Sequence, residues 1–110
     1  MRLAEQWNAI EQGLDPRWRD AQLELAIEDE TQQSRVLALL APAGPGRSGN
    51  KIRFAATRSG TGVGPEAVRR LARRLDEEGI PGELRVVLAL SDSRPVGTQG
   101  PVWYVGGKAV

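Results

Sequence analysis

Apolar residues fall at Leu3, Trp7, Ile10 and Leu14. Spacings of four, three and four draw one stripe down a short helix. Gly13 is placed to stop that helix, and Pro16 after Asp15 predicts a turn. From Ala21 the period changes to two. Ala21, Leu23, Leu25 and Ile27 share one side, with Gln22, Glu24, Ala26 and Glu28 on the other, as in a half-buried strand. Asp29 followed by Gln32 forms a capping box that opens a helix with Val36, Leu37 and Leu40 on its inner face. Pro42 ends it, and residues 42–50, PAGPGRSGN, read as a loop.

Period two returns in KIRFAATR, residues 51–58, with Ile52, Phe54 and Ala56 inward and Lys51, Arg53, Ala55 and Thr57 outward. A helix follows from Pro65 to about Glu78, buried along Ala67, Val68, Leu71, Ala72 and Leu75. Gly79 and Pro81 stop it. ELRVVLAL, residues 83–90, places Leu84, Val86, Leu88 and Leu90 inward, and VWYV at 102–105 predicts a short fourth strand. The order is α-β-α-β-α-β-β. A lone helix between two strands favours a parallel, right-handed crossover. The expected fold is therefore α/β (α+β): a two-layer sandwich with a mostly parallel, mixed four-stranded sheet and helices on one face. Residues 1–110 are expected to form a single domain, with an N-terminal helix over 1–14, an α/β core over 20–105 and a tail over 106–110.

Over residues 20–105 this element order is similar to the C-terminal domain of bacterial translation initiation factor three, whose architecture archaeal chromatin proteins of the Alba type share. Small sulfur-carrier proteins have it too, but their chemistry needs a cysteine and this chain has none. The resemblance is one of fold and carries no motif. The sequence also looks like short uncharacterised proteins of high-GC bacteria.

Composition narrows the function. Without cysteine there is neither a disulfide framework nor a thiolate metal site. No apolar run approaches the roughly 18 residues of a membrane span, and the acid-containing start MRLAEQWNAIEQG is no signal peptide. A soluble cytoplasmic protein is expected. With no histidine, a His-assisted serine triad and His-ligated metals drop out. Asp29, Glu30 and Asp92 could gather where α/β sheets place ligands, but they read as caps and turns. The expectation is no enzyme activity, no catalytic residue, no cofactor and no metal.

Net charge is +1, unevenly spread. Residues 1–30 carry eight acids and three arginines, whereas residues 31–75 carry nine bases and Glu66 alone. A basic middle invites nucleic acid. Parallel strands would set Arg58 and Arg47 at opposite ends of the sheet, roughly 20 Å apart for a strand of six or seven residues. The basic segment is thus expected to split. Glu66 to Arg70, Arg73 to Glu77 and Arg74 to Glu78 have the i,i+4 spacing of helix ion pairs. RNA or DNA backbone binding through Arg69, Arg70, Arg73 and Arg74 is the alternative reading.

Two glycine loops invite a phosphate. GPGRSGNK, 44–51, follows a helix and precedes a strand, the reverse of a phosphate loop. GTGVGPEA has the right context, a strand before and a helix after, so Gly60, Gly62 and Gly64 are candidate anion-site residues. Its G-x-G-x-G spacing departs from the dinucleotide fingerprint, and Glu66 would repel an anion. It reads mainly as a flexible cap.

The leading expectation is a non-enzymatic protein-interaction or self-association domain that uses its sheet face or its outer helix to contact protein, a second copy of itself in a homodimer included. Its uncovered sheet face would hold an apolar centre of Ala26, Ala55, Val87 and Ala89, ringed by Glu24, Arg53 and Arg85. Trp7 on the first helix would cover that centre, or a second subunit would, with Trp18 and Trp103 contributing. The candidate interaction residues are Arg53, Arg85, Val87, Trp7 and Trp103.

Overall fold

A computed structural model describes residues 1–58, 62–91, 102–105 and 108–109, the last two stretches by their strand pairing alone. Among the described residues there are three α-helices: α1 (Leu3–Gly13), α2 (Glu30–Leu39) and α3 (Pro65–Glu77). The strands are β1 (Trp18–Ala26), β2 (Gly46–Ser48), β3 (Lys51–Thr57), β4 (Glu83–Ser91), β5 (Val102–Val105) and β6 (Lys108–Ala109). They form one sheet in the order β2-β3-β1-β4-β5-β6. The class is α+β, as expected, but every pairing between these strands is antiparallel.

The parallel expectation fails at PAGPGRSGN. That stretch is a 3₁₀ turn (Ala41–Ala43) followed by β2, and Gly49 and Asn50 then reverse the chain into β3. Gly49 has φ +62°, while no residue other than glycine has positive φ among the described residues. Glycine in the first of two turn positions is the pattern of a II′ hairpin. The chain leaving α2 therefore reaches the sheet on the edge strand β2, which is parallel to β1 but not next to it. β3 comes back between them, antiparallel to both. β3 and β4, either side of α3, are parallel to each other and separated by β1.

One face of the sheet and the helices enclose the core. β1 contributes Ala21, Leu23 and Leu25, and β3 contributes Ile52, Phe54 and Ala56. α1 packs against α3 and β4, and α3 against β3. Leu3 and Trp7 of α1, Val36 of α2, and Val68, Ala72 and Leu75 of α3 are all buried. Gln33 holds α2 in place: its Nε2 donates to the Ile27 carbonyl at 2.6 Å, and its Oε1 accepts from Arg47 at 3.1 Å.

Ends are set by recognisable chemistry. Asp29 caps α2, accepting from the Gln32 N–H at 3.1 Å. α3 closes in a Schellman motif, with Ile80 N–H on the Leu75 carbonyl, Gly79 N–H on that of Asp76, and Gly79 at φ +70°. α1 has no cap of its own. The Asp76 carboxylate supplies one, accepting from the Leu3 and Ala4 N–H groups at 2.8 and 2.9 Å.

Candidate interaction surfaces

The sheet face turned away from the helices is built by the polar half of each strand. Register places Glu24 between Arg53 of β3 and Arg85 of β4. Both guanidinium groups donate from Nε to its carboxylate, at 3.0 and 2.8 Å. The two arginine side chains stay about 60% exposed while that of Glu24 is 4% exposed. The arginines thus bury the acid and remain open to solvent themselves. Burial alone would raise the Glu24 pKa. Hydrogen bonds from Arg85 and Arg53, with the charges of Arg85 and Lys51, outweigh it and hold the carboxyl below its ordinary value. Arg53 and Arg85 thus hold Glu24 from the two strands that flank it.

Beyond that row the face turns less charged. The next row is Ala55–Gln22–Leu88, and the one after it Thr57–Asp20–Leu90. A register shift between Gln22 and Leu23 leaves Val87 as the extra residue of a bulge. That bulge corrects the expected apolar centre. Ala89 now pairs with Ala21 and is buried in the core, while Leu88, half-buried, and Leu90, only 7% exposed, take the other side. Val87 is half-buried. Strict alternation in ELRVVLAL gives no sign of the bulge. Trp7 is also corrected: at 0% exposure it lies between α1 and the opposite face of the sheet. Among the described residues no helix covers the open face. Trp103 pairs in register with Leu90, and its side chain lies outside the described structure. Trp18 is buried in the core cluster, with the Arg58 guanidinium 5.2 Å from its ring centre.

The four arginines of α3 do not make one stripe. Arg69 turns to α1, where it pairs with Glu11 as well as with Glu66. The charge of Glu11 is the largest influence raising its pKa. Arg73 faces the same way, lining a hollow with Arg2, Glu5, Asp76 and Glu77. Arg70 and Arg74 face α2 instead. Of the expected helix pairs, Arg74–Glu78 forms at 3.9 Å, Glu66 takes Arg69 in place of Arg70, and Arg73 makes no ion pair with Glu77. Glu78 is held more closely by Arg35 of α2, at 2.7 Å, and that hydrogen bond lowers its pKa.

Between α2 and α3 lies a trough of about 350 Å³, lined by Leu39, Leu40, Val63, Ala67 and Leu71 with Arg70 and Arg74 at its rim. It was not among the sequence expectations. Leu40 and Leu71 are legible as inward helix positions, but no local signal in the sequence sets a trough between the two helices.

The two glycine loops take different forms. GPGRSGNK is β2 and its hairpin turn. In GTGVGPEA, Gly60 lies outside the described residues. Gly62 has φ +123°, Val63 accepts from the Thr57 N–H at 2.8 Å, and Gly64 precedes α3 without a side-chain cap. Asp92 also lies outside the described residues. Among the described residues no group of three or more acidic side chains is arranged to hold a metal ion, and no helix is long and apolar enough to cross a membrane.

No family model, curated protein or solved structure matches this chain. Its function has to be argued from these surfaces.

Proposed function

We propose that the chain is a non-enzymatic protein-interaction domain that works through the open face of its sheet, with a second copy of itself as the simplest partner. The observation that carries this reading is the face itself, uncovered by any described helix and graded along its strands. At one end the Arg53–Glu24–Arg85 row holds its charges in fixed places. Towards the other end Ala55, Val87 and Leu88 are only half-buried. Two such faces related by a two-fold axis through the Ala55–Gln22–Leu88 row would bury their less polar rows centrally. The arginine rows would fall at the rim, the usual arrangement of apolar centre and polar border. Light scattering over a dilution series tests this. A mass moving from two copies to one on dilution is expected, with Leu88→Glu monomeric throughout. A parent chain that is monomeric at every concentration sinks the self-association.

The second reading is nucleic-acid backbone binding through Arg69, Arg70, Arg73 and Arg74. The observation in its favour is that Arg70 and Arg73 make no ion pair among the described residues. Its weakness is that the four side chains divide between two sides of α3. Phosphate contacts predict an affinity for a generic oligonucleotide that falls steeply with salt. No binding at low salt removes this reading.

A further inference from the structure

We infer that the trough between α2 and α3 is a second docking site, and that its partner is an amphipathic helix carrying acidic residues beside its apolar stripe. This rests on the reading of the chain as a protein-interaction domain but uses a different surface from the open sheet face. The two helices are tied at one end by Arg35 and Glu78 at 2.7 Å. Towards the other end Leu40 and Val63, both buried, line the trough as its floor. Leu39, Ala67 and Leu71 make the walls. Leu39 is 42% exposed, and among the described residues only Met1 is a more exposed large apolar side chain. A single exposed leucine carries little meaning. One at the lip of an aliphatic trough does.

Charge selects the partner. Among the described residues Arg70 and Arg74 are the only charged ones lining the trough, and no carboxylate is among them. Arg70 makes no ion pair among the described residues, and Arg74 reaches Glu78 only at 3.9 Å. They stand four residues apart on one wall, so acids four apart on an incoming helix meet them one for one. Shape selects it too. A small-molecule pocket encloses most of its ligand, whereas this trough lies open between two helices. A helix laid in such a groove inserts apolar side chains at i, i+3 or i+4, and i+7, and would cover Leu39.

The test uses two fluorescein-labelled, helix-forming synthetic peptides with the same leucine stripe, one flanked by glutamates and one by lysines. Anisotropy with the full chain should show the glutamate peptide binding at least about ten-fold more tightly, since like charges set against each other disfavour the lysine one. The double substitution Arg70→Glu with Arg74→Glu should reverse the preference, a gain that an unfolded variant cannot produce. Leu39→Glu should weaken both peptides, and Leu88→Glu should leave binding unchanged while abolishing self-association. Equal affinity for the two peptides overturns the inference. So does an unaltered preference in the double variant, or displacement of the glutamate peptide by decanoate or by an oligonucleotide at equal concentration. Loss of self-association alone leaves the trough standing, and loss of both activities removes the interaction-domain reading with it.

Discussion

Glu24 shows how one side chain is set by strand pairing. Ile27 N–H bonds to the Asn50 carbonyl, which fixes the alternation along β1 and β3. By that alternation Glu24 and Arg53 are a non-hydrogen-bonded pair, the kind in which side chains approach more closely. On the other side Glu24 and Arg85 are opposed across β1 and β4. The depressed pKa gives a signed prediction. A carboxyl whose folded pKa lies below its unfolded value contributes stability above the unfolded value, about 4.3 for glutamate, and loses it as pH falls through the folded one. Asp20 and Glu78 shift in the same direction, so an acid limb remains when Glu24 is replaced. Glu24→Gln should lower the urea midpoint at pH 7, and its deficit should shrink steadily below about pH 4.3. Parallel midpoint-versus-pH curves for the two proteins would show that the carboxylate charge is not what matters there.

At the scale of elements, local chemistry and long-range contact divide the credit. The Schellman end of α3 is readable from Gly79, and the start of α2 from Asp29, although the Gln32 side-chain oxygen makes no return bond and the expected capping box is only half formed. The start of α1 is not, because its cap comes from Asp76, 73 residues further on. A short sequence window sees only Arg2 there, a residue that cannot accept the orphan N–H groups. β2 is half-legible. Gly46, Arg47 and Ser48 are all exposed, so they have no buried face to print a hydrophobic period. The Gly49–Asn50 pair is itself a hairpin signal, and it outranks the glycine count that made this stretch look like a loop. Asp76→Ala should remove both hydrogen bonds to α1 and cost about 0.5–2 kcal/mol, the usual loss of a helix cap. Hydrogen exchange should show the loss as faster exchange at Leu3 and Ala4. An unchanged denaturation midpoint would mean water replaces the carboxylate at no cost.

For the whole molecule, reversal of β3 rearranges the sheet without gathering the positive charge. Arg47 pairs with Ile52, and Arg58 lies six residues further along β3, so roughly 20 Å still separates them at the strand's rise. The separation first expected from parallel strands survives because β3's own length supplies it. What the reversal does change is the place of β1, now flanked by β3 on one side and β4 on the other. Its odd-numbered backbone groups point to β3, by the Ile27–Asn50 bond, and its even-numbered ones to β4. Every amide from Ala21 to Leu25 therefore opens only when the sheet does, which should make this strand exchange near the global unfolding limit. Arg47, whose amide points away from β3 on the exposed edge, should exchange orders of magnitude faster. Native-state hydrogen exchange distinguishes this order from one with β1 at an edge. An edge strand would show protection alternating by two along residues 21–25, odd against even. A central one shows five amides slow alike, and an alternating pattern would refute the central place of β1 on which the open face and its arginine pair depend.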